Sequence, residues 1–113
     1  MKQPIAKVTI NDIHRLIRRD FPGNEAKVLK LLNKYQGEGY RVWAAILKLA
    51  NADFSTINNH VKIAINDFRD VISLAEYPEY SARIGFDSDK FNRREIAEII
   101  NRDNSQYQNW FKR

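Results

Sequence analysis

Few residues in this chain are of a type that does chemistry, and their spacing limits what they can do. The two histidines, His14 and His60, fall on separate predicted helices. No His-x-x-x-His or Glu-x-x-His pair occurs, so no helix face offers the start of a three- or four-ligand metal site. Cysteine is absent, which removes a thiolate nucleophile, a sulfur-ligated zinc and any disulfide framework. Carboxylates pair at Asp67/Asp70 and at Glu95/Glu98, each three residues apart. Acid–base chemistry needs two carboxylates in different environments within a cleft. Neighbours on one helix surface more readily form ion pairs with an adjacent arginine. Gly37-Glu38-Gly39 precedes a predicted helix, where a glycine turn can hold a phosphate. It lacks the strand and the Gly-Lys-Ser/Thr ending of a P-loop, so it reads as a turn between helices. From this inventory no catalytic residue, metal or cofactor is expected, and the chain is not expected to be an enzyme.

Two constellations remain. Arg41 and Lys48, with Asp67, Arg69, Asp70 and Glu76, form the densest charged set on what should be the central helices. One reading joins Arg41 or Lys48 to Asp67 or Asp70 in partly buried ion pairs that fix the register of two helices. The other makes the same residues a polar groove for a partner. The second constellation lies in residues 92–113. Asn101 stands where a helix-turn-helix wants a residue tolerant of the left-handed region, with Ala97 four residues earlier. Tyr107 and Trp110 would pack the second helix on the first, leaving Arg102, Gln106, Gln108 and Asn109 for nucleic acid. The competing reading makes Tyr107, Trp110 and Phe111 a terminal apolar face that packs back onto the fold.

The elements that must position these groups are helical. Four glycines and three prolines fall between periodic segments, which is helix punctuation. The first helix runs from about Thr9 to Asp20, opened by a capping box of Thr9 with Asp12 and stopped by Pro22-Gly23. The second spans Asn24 to about Tyr35, with Asn24 as N-cap. Its Val28, Leu31, Leu32 and Tyr35 lie on one face, and Lys27, Lys30 and Lys34 on the other. The third, Tyr40 to Ala52, is apolar over most of its circumference and belongs at the centre, with Trp43 buried. It leaves only the strip Arg41, Ala44, Lys48 and Asn51 for water. Ile57, Val61, Ala64, Phe68, Ile72 and Ala75 keep helical spacing, which predicts one long fourth helix from about Ser55 to Glu76, ended by Pro78. Asp53 or Ser55 can cap it. Tyr77 to Phe91 reads as a loop, long enough to be a place to look for function. In the last segment Asn92 with Glu95 and Asp103 with Gln106 are two capping boxes, so one helix or two remain open.

The totals agree with this reading. A chain of 113 residues with 43% apolar and 29% charged residues can bury one core as a single helical domain. The charge is uneven. Residues 1–48 carry a net +6, residues 49–82 a net −3 and residues 83–113 a net +2. A basic half beside an acidic middle could steer a polyanion or set two copies of the chain against each other. A continuous surface of Arg15, Arg18 and Arg19 with Lys27, Lys30 and Lys34 would favour the polyanion. The first ten residues have no apolar core of a signal peptide and no stretch is long enough to span a membrane, so a cytoplasmic location is expected.

Several runs resemble a family of small, uncharacterised, all-helical bacterial proteins. They are Arg41-Val42-Trp43-Ala44-Ala45-Ile46-Leu47-Lys48-Leu49-Ala50, then Asp67-Phe68-Arg69-Asp70-Val71-Ile72, then Ala75-Glu76-Tyr77-Pro78. Asp103 with Gln106-Tyr107 and Trp110-Phe111 belongs to the same pattern. The resemblance implies an all-helical domain and no activity, and it reads Tyr107 and Trp110 as packing residues of a terminal helix. The combined expectation is an all-α, compact antiparallel bundle of four to five helices that acts as a non-catalytic protein-interaction module. Its partner would be another protein or a second copy in a homodimer, with nucleic acid as the alternative.

Overall fold

The structure is a computed structural model that describes residues 3–37 and 39–113. Glu38 of the glycine turn and the first two residues of the N-terminus lie outside the described residues. Helices are the regular elements among them: α1 (Ile10–Asp20), α2 (Glu25–Leu32), α3 (Tyr40–Ala50), α4 (Ile57–Asn66), α5 (Phe68–Glu76), α6 (Pro78–Arg83) and α7 (Arg93–Lys112), with single 3-10 turns at Phe54–Thr56 and Ser88–Lys90. The all-α bundle expected from periodicity is what forms. Among the described residues it has seven helices rather than four or five, for two local reasons.

The first is Asp67. Its backbone is extended (φ −155°, ψ 104°), and its carboxylate accepts from the Arg69 N–H at 3.0 Å. Aspartate competes well for free N–H groups, so it opens a new helix instead of continuing the old one. The predicted long helix is therefore broken into α4 and α5, and the break changes the phase. Val71, Ala75 and Glu76 are buried, whereas Phe68 is 45% exposed. The second is Pro78. It ends α5 as expected but also starts α6, because a proline at the first helical position gives up an N–H that had no partner. The segment read as a loop, Tyr77 to Phe91, thus holds a helix and a 3-10 turn.

The N-terminal half follows its sequence signals. Thr9 and Asp12 make the reciprocal capping box of α1. Gly23 takes φ +84° in the turn that follows. Asn24 precedes α2 without a side-chain cap bond, and α2 is shorter than predicted, ending at Leu32. Of the eleven residues of α3, seven are buried, so this helix has almost no free face. It packs against α1, α4 and α5. Trp43 is buried, as its position on α3 required. The strip predicted to face water does so only in part: Asn51 is exposed, Arg41 and Lys48 are half-buried, and Ala44 is fully buried. α3 ends where Asn51 and Ala52 turn left-handed, at φ 51° and 63°.

One cluster of buried apolar residues runs from Val8 to Phe111 and takes in α1 to α5 and the end of α7. Tyr77, Ile84 and Ile99 are buried outside it, where α6 and the first half of α7 pack together. Residues 92–113 form one helix opened by Asn92, whose side chain accepts from the Glu95 N–H. Asn101 and Arg102 lie within that helix, so the turn needed by a helix-turn-helix does not exist. Tyr107 and Phe111 are buried and Trp110 is half-buried, so the aromatic tail does pack back.

Candidate functional site

The polar set picked out by the sequence comes together only in part. Glu76 is 1% exposed and sits at the end of α5, opposite the start of α3. Both its oxygens are bonded to Arg41: Arg41 Nε donates to Oε2 and Nη2 to Oε1, each at 2.8 Å. A planar guanidinium matches a carboxylate in this way, and the fit satisfies a charge that burial alone would penalise. The partner expected for Arg41 was Asp67 or Asp70. The break at Asp67 turns Glu76 inward instead. Asp67 is bonded to Arg69 two residues along its own helix. That hydrogen bond, with the backbone N–H of Arg69, holds the Asp67 carboxyl below its ordinary range. Asp70 is exposed on the outer side of α5. Lys48 forms no ion pair among the described residues; burial lowers its pKa, and the field of Asp103 partly opposes that. Of the six residues named, then, Arg41 and Glu76 meet and Lys48 lies half-buried on the same helix. The other three lie away from them.

Asp103 has a role that its sequence context did not suggest. With Gln106 it offered a second capping box, which left one C-terminal helix or two open; one helix forms. Asp103 lies inside α7, 1% exposed, and caps a different helix. Its Oδ1 accepts from the Glu79 N–H at 3.0 Å and its Oδ2 from the Tyr80 N–H at 2.9 Å. These are free donors of the first turn of α6, where the helix dipole also favours a negative charge. Glu79 in turn accepts from Arg102 Nε at 2.8 Å and from Arg83 Nη1 at 2.8 Å. The Arg102 hydrogen bond, followed by that of Arg83, holds the Glu79 carboxyl down from 4.5 to about 2. The signal that could have found Asp103 is Pro78. A proline that starts a helix implies orphan donors one and two residues later, and a buried aspartate can fill both.

The residues offered for nucleic acid are mostly spent inside the fold. Arg102 holds Glu79. Gln106 Nε2 donates to the carbonyls of Ala75 at 3.1 Å and Asp103 at 2.9 Å. Gln108 Nε2 donates to the Pro4 carbonyl at 3.0 Å, tying the N-terminal segment to α7. Of the four, Asn109 alone is exposed with no side-chain bond among the described residues. Two of the three arginines of α1 are also engaged, and Arg18 is exposed. Arg15 donates to the Phe111 carbonyl at 2.8 Å and Arg19 to the Trp110 carbonyl at 2.6 Å, and each guanidinium lies over the ring of the same residue. Two cations thereby satisfy the open carbonyls at the end of α7. Lys27, Lys30 and Lys34 face elsewhere, lining a hollow with Leu31, Phe54 and Asn58.

Glu76 and Asp103 are therefore both bonded within the fold. Tyr107 is 1% exposed, its hydroxyl is without a hydrogen-bond partner among the described residues, and burial pushes its pKa up. His60 is shifted down by burial, which favours its neutral form. Among the described residues no three His, Asp or Glu side chains converge on a point that could hold a metal. No described helix is long and apolar enough to cross a membrane.

The surface missed by the sequence is apolar. Leu74 is 51% exposed on α5 and Phe86 is fully exposed after α6. Two hollows adjoin here. One is lined by Ile63, Asn66 and Leu74, the other by Tyr77, Tyr80, Ser81 and Phe86, and both share Asp70 and Ser73. Ile65 and Phe68, 57% and 45% exposed, stand at the junction of α4 and α5. No family model matches the chain, and neither a curated protein nor a solved structure matches it.

Proposed function

We propose that this protein is a small, non-catalytic module that binds another protein through the outer face of α5 and α6. The observation that supports the reading is the exposure of Leu74 and Phe86 beside two adjoining hollows that share Asp70 and Ser73. Scattered apolar residues on a surface need no explanation, but neighbouring ones beside a concave surface mark interaction sites. The reading carries with it the cytoplasmic location and the bacterial family resemblance described above. A second copy of the chain is the first partner to test. Sedimentation velocity over a range of concentrations separates self-association from a monomer that awaits another protein. Affinity capture from cells of the source organism, with and without nuclease, covers the second case. We expect a captured protein that survives nuclease and is lost from the double variant Leu74→Asp, Phe86→Asp. Capture that disappears with nuclease would replace the reading with the nucleic-acid alternative. Capture or self-association unaffected by the double variant would place the interface elsewhere.

A further inference from the structure

We infer that the hollow between α2 and the start of α4 is a second docking site, and that it takes an acidic protein segment anchored by one apolar side chain. This site is separate from the α5 and α6 face and does not depend on it. The hollow has a volume of about 430 Å³, within the range of ligand-sized pockets. Its apolar surface comes from Leu31 and Phe54, which are half-buried and packed against the core. Its rim is Lys27, Lys30 and Lys34, at positions i, i+3 and i+7 of α2 and the residues that follow it. At a rise of about 1.5 Å per residue Lys27 and Lys30 stand roughly 4.5 Å apart along α2, and Lys34 follows in the turn after it.

The charge on this rim meets no counter-charge among the described residues. Among the described residues none of the three lysines pairs with a carboxylate, and Lys34 donates only to the neutral Asn58 Oδ1, at 3.3 Å. Arg15 and Arg19 of α1 differ in this respect, since both are committed to the end of α7. Three ammonium groups beside an apolar floor attract a ligand that combines carboxylates with one apolar group. A short peptide with a phenylalanine or leucine flanked by aspartate or glutamate has that chemistry. A nucleic-acid strand fits less well. It needs a longer basic track and successive stacking platforms, and this hollow offers a single, half-buried aromatic.

The experiment uses the full chain and a short fluorescein-labelled synthetic peptide with one phenylalanine between glutamates. Its controls are the same peptide with serine for phenylalanine and a labelled single-stranded oligonucleotide of mixed sequence. Anisotropy should show binding of the first peptide that weakens at least about tenfold in the triple variant Lys27→Glu, Lys30→Glu, Lys34→Glu and falls as salt rises. Backbone NMR shifts on the wild-type chain should move at Leu31, Phe54, Ser55 and Asn58, which keeps the proposal testable if the triple variant folds poorly. Equal binding of the serine peptide would remove the apolar anchor and with it the proposal. Tighter binding of the oligonucleotide, no binding of any probe, or shifts confined to the α5 and α6 face would overturn it as well. The double variant Leu74→Asp, Phe86→Asp should bind the peptide like wild type, so failure of the proposed function leaves this result readable.

Discussion

On the inner side of α5, Glu76 is buried with both carboxylate oxygens bonded to Arg41; on its outer side, two residues earlier, Leu74 stands half in water. The usual assignment of charge to the surface and leucine to the core is reversed within one turn of one helix. The inner region can hold its charge because each of its two fully buried carboxylates meets a matched partner: Glu76 meets a guanidinium fork, and Asp103 meets two backbone donors of α6. The outer region keeps its leucine exposed because nothing among the described residues covers it. A saturated charge has little left to offer a ligand, whereas an uncovered apolar group still gains by burial. This difference moves the functional reading away from the charged residues that first drew attention and onto the apolar ones.

The comparison breaks most visibly at Arg41. Arg41→Ala leaves the Glu76 carboxylate buried without a counter-charge, and it should cost roughly 3–5 kcal/mol. Glu76→Gln should cost clearly less, because the Arg41 side chain is 36% exposed and can turn to water. Urea denaturation of the two variants reads the asymmetry. Equal costs would mean that the pairing itself, rather than the burial of Glu76, is what matters here.

Asp103 comes next. Asp103→Ala orphans two N–H groups at the start of α6 and should cost about 1–3 kcal/mol. The damage should be local. Hydrogen exchange at the Glu79 and Tyr80 amides should accelerate more than exchange in α3. Uniform acceleration through the whole bundle would show that Asp103 supports the core generally and is not a cap.

Glu79 sharpens the same point through pH. Its folded pKa, about 2, lies below its ordinary 4.5. A group depressed on folding contributes stability that is complete above the unfolded value and is lost as pH falls through the folded one. Wild type and Arg102→Ala should therefore differ in denaturation midpoint above about pH 4.5 and converge as pH drops toward about 2. A constant gap across that window would take Glu79 out of the saturated region.

Much of the fold was legible in the sequence and little of the site. α1 and α3 announced themselves, through the Thr9 and Asp12 box and through the nearly continuous apolar surface around Trp43. Periodicity misled where one residue reset the phase. Val61, Ala64, Phe68 and Ile72 fit an unbroken helix, and only the capping preference of Asp67 argued against it. That preference acts at one position, whereas the periodic signal is summed over five turns. The same reset put Glu76, not Asp67 or Asp70, opposite Arg41. The roles of Gln106 and Gln108 were not legible, because each bonds to backbone far away in the chain. Residue identity carries no record of which distant carbonyl or N–H will lie beside it.

The smallest expected effect tests the outer region. Leu74→Asp with Phe86→Asp should shift stability by no more than about 0.5 kcal/mol, because neither side chain fills a place in the core. Leu74 is the stricter of the two. It is 51% exposed, so part of it is covered beside Ile63, whereas Phe86 edges the adjoining hollow with its side chain fully exposed. The single variants separate the possibilities. If Leu74→Asp alone costs about 2 kcal/mol or more, the leucine is a core residue with a wet edge, and the contrast between the two sides of α5 fails. If both singles and the double denature like wild type while the partner is lost, the exposed apolar groups are held for binding alone. Urea midpoints measured beside capture or sedimentation on the same preparations give both readings from one set of proteins.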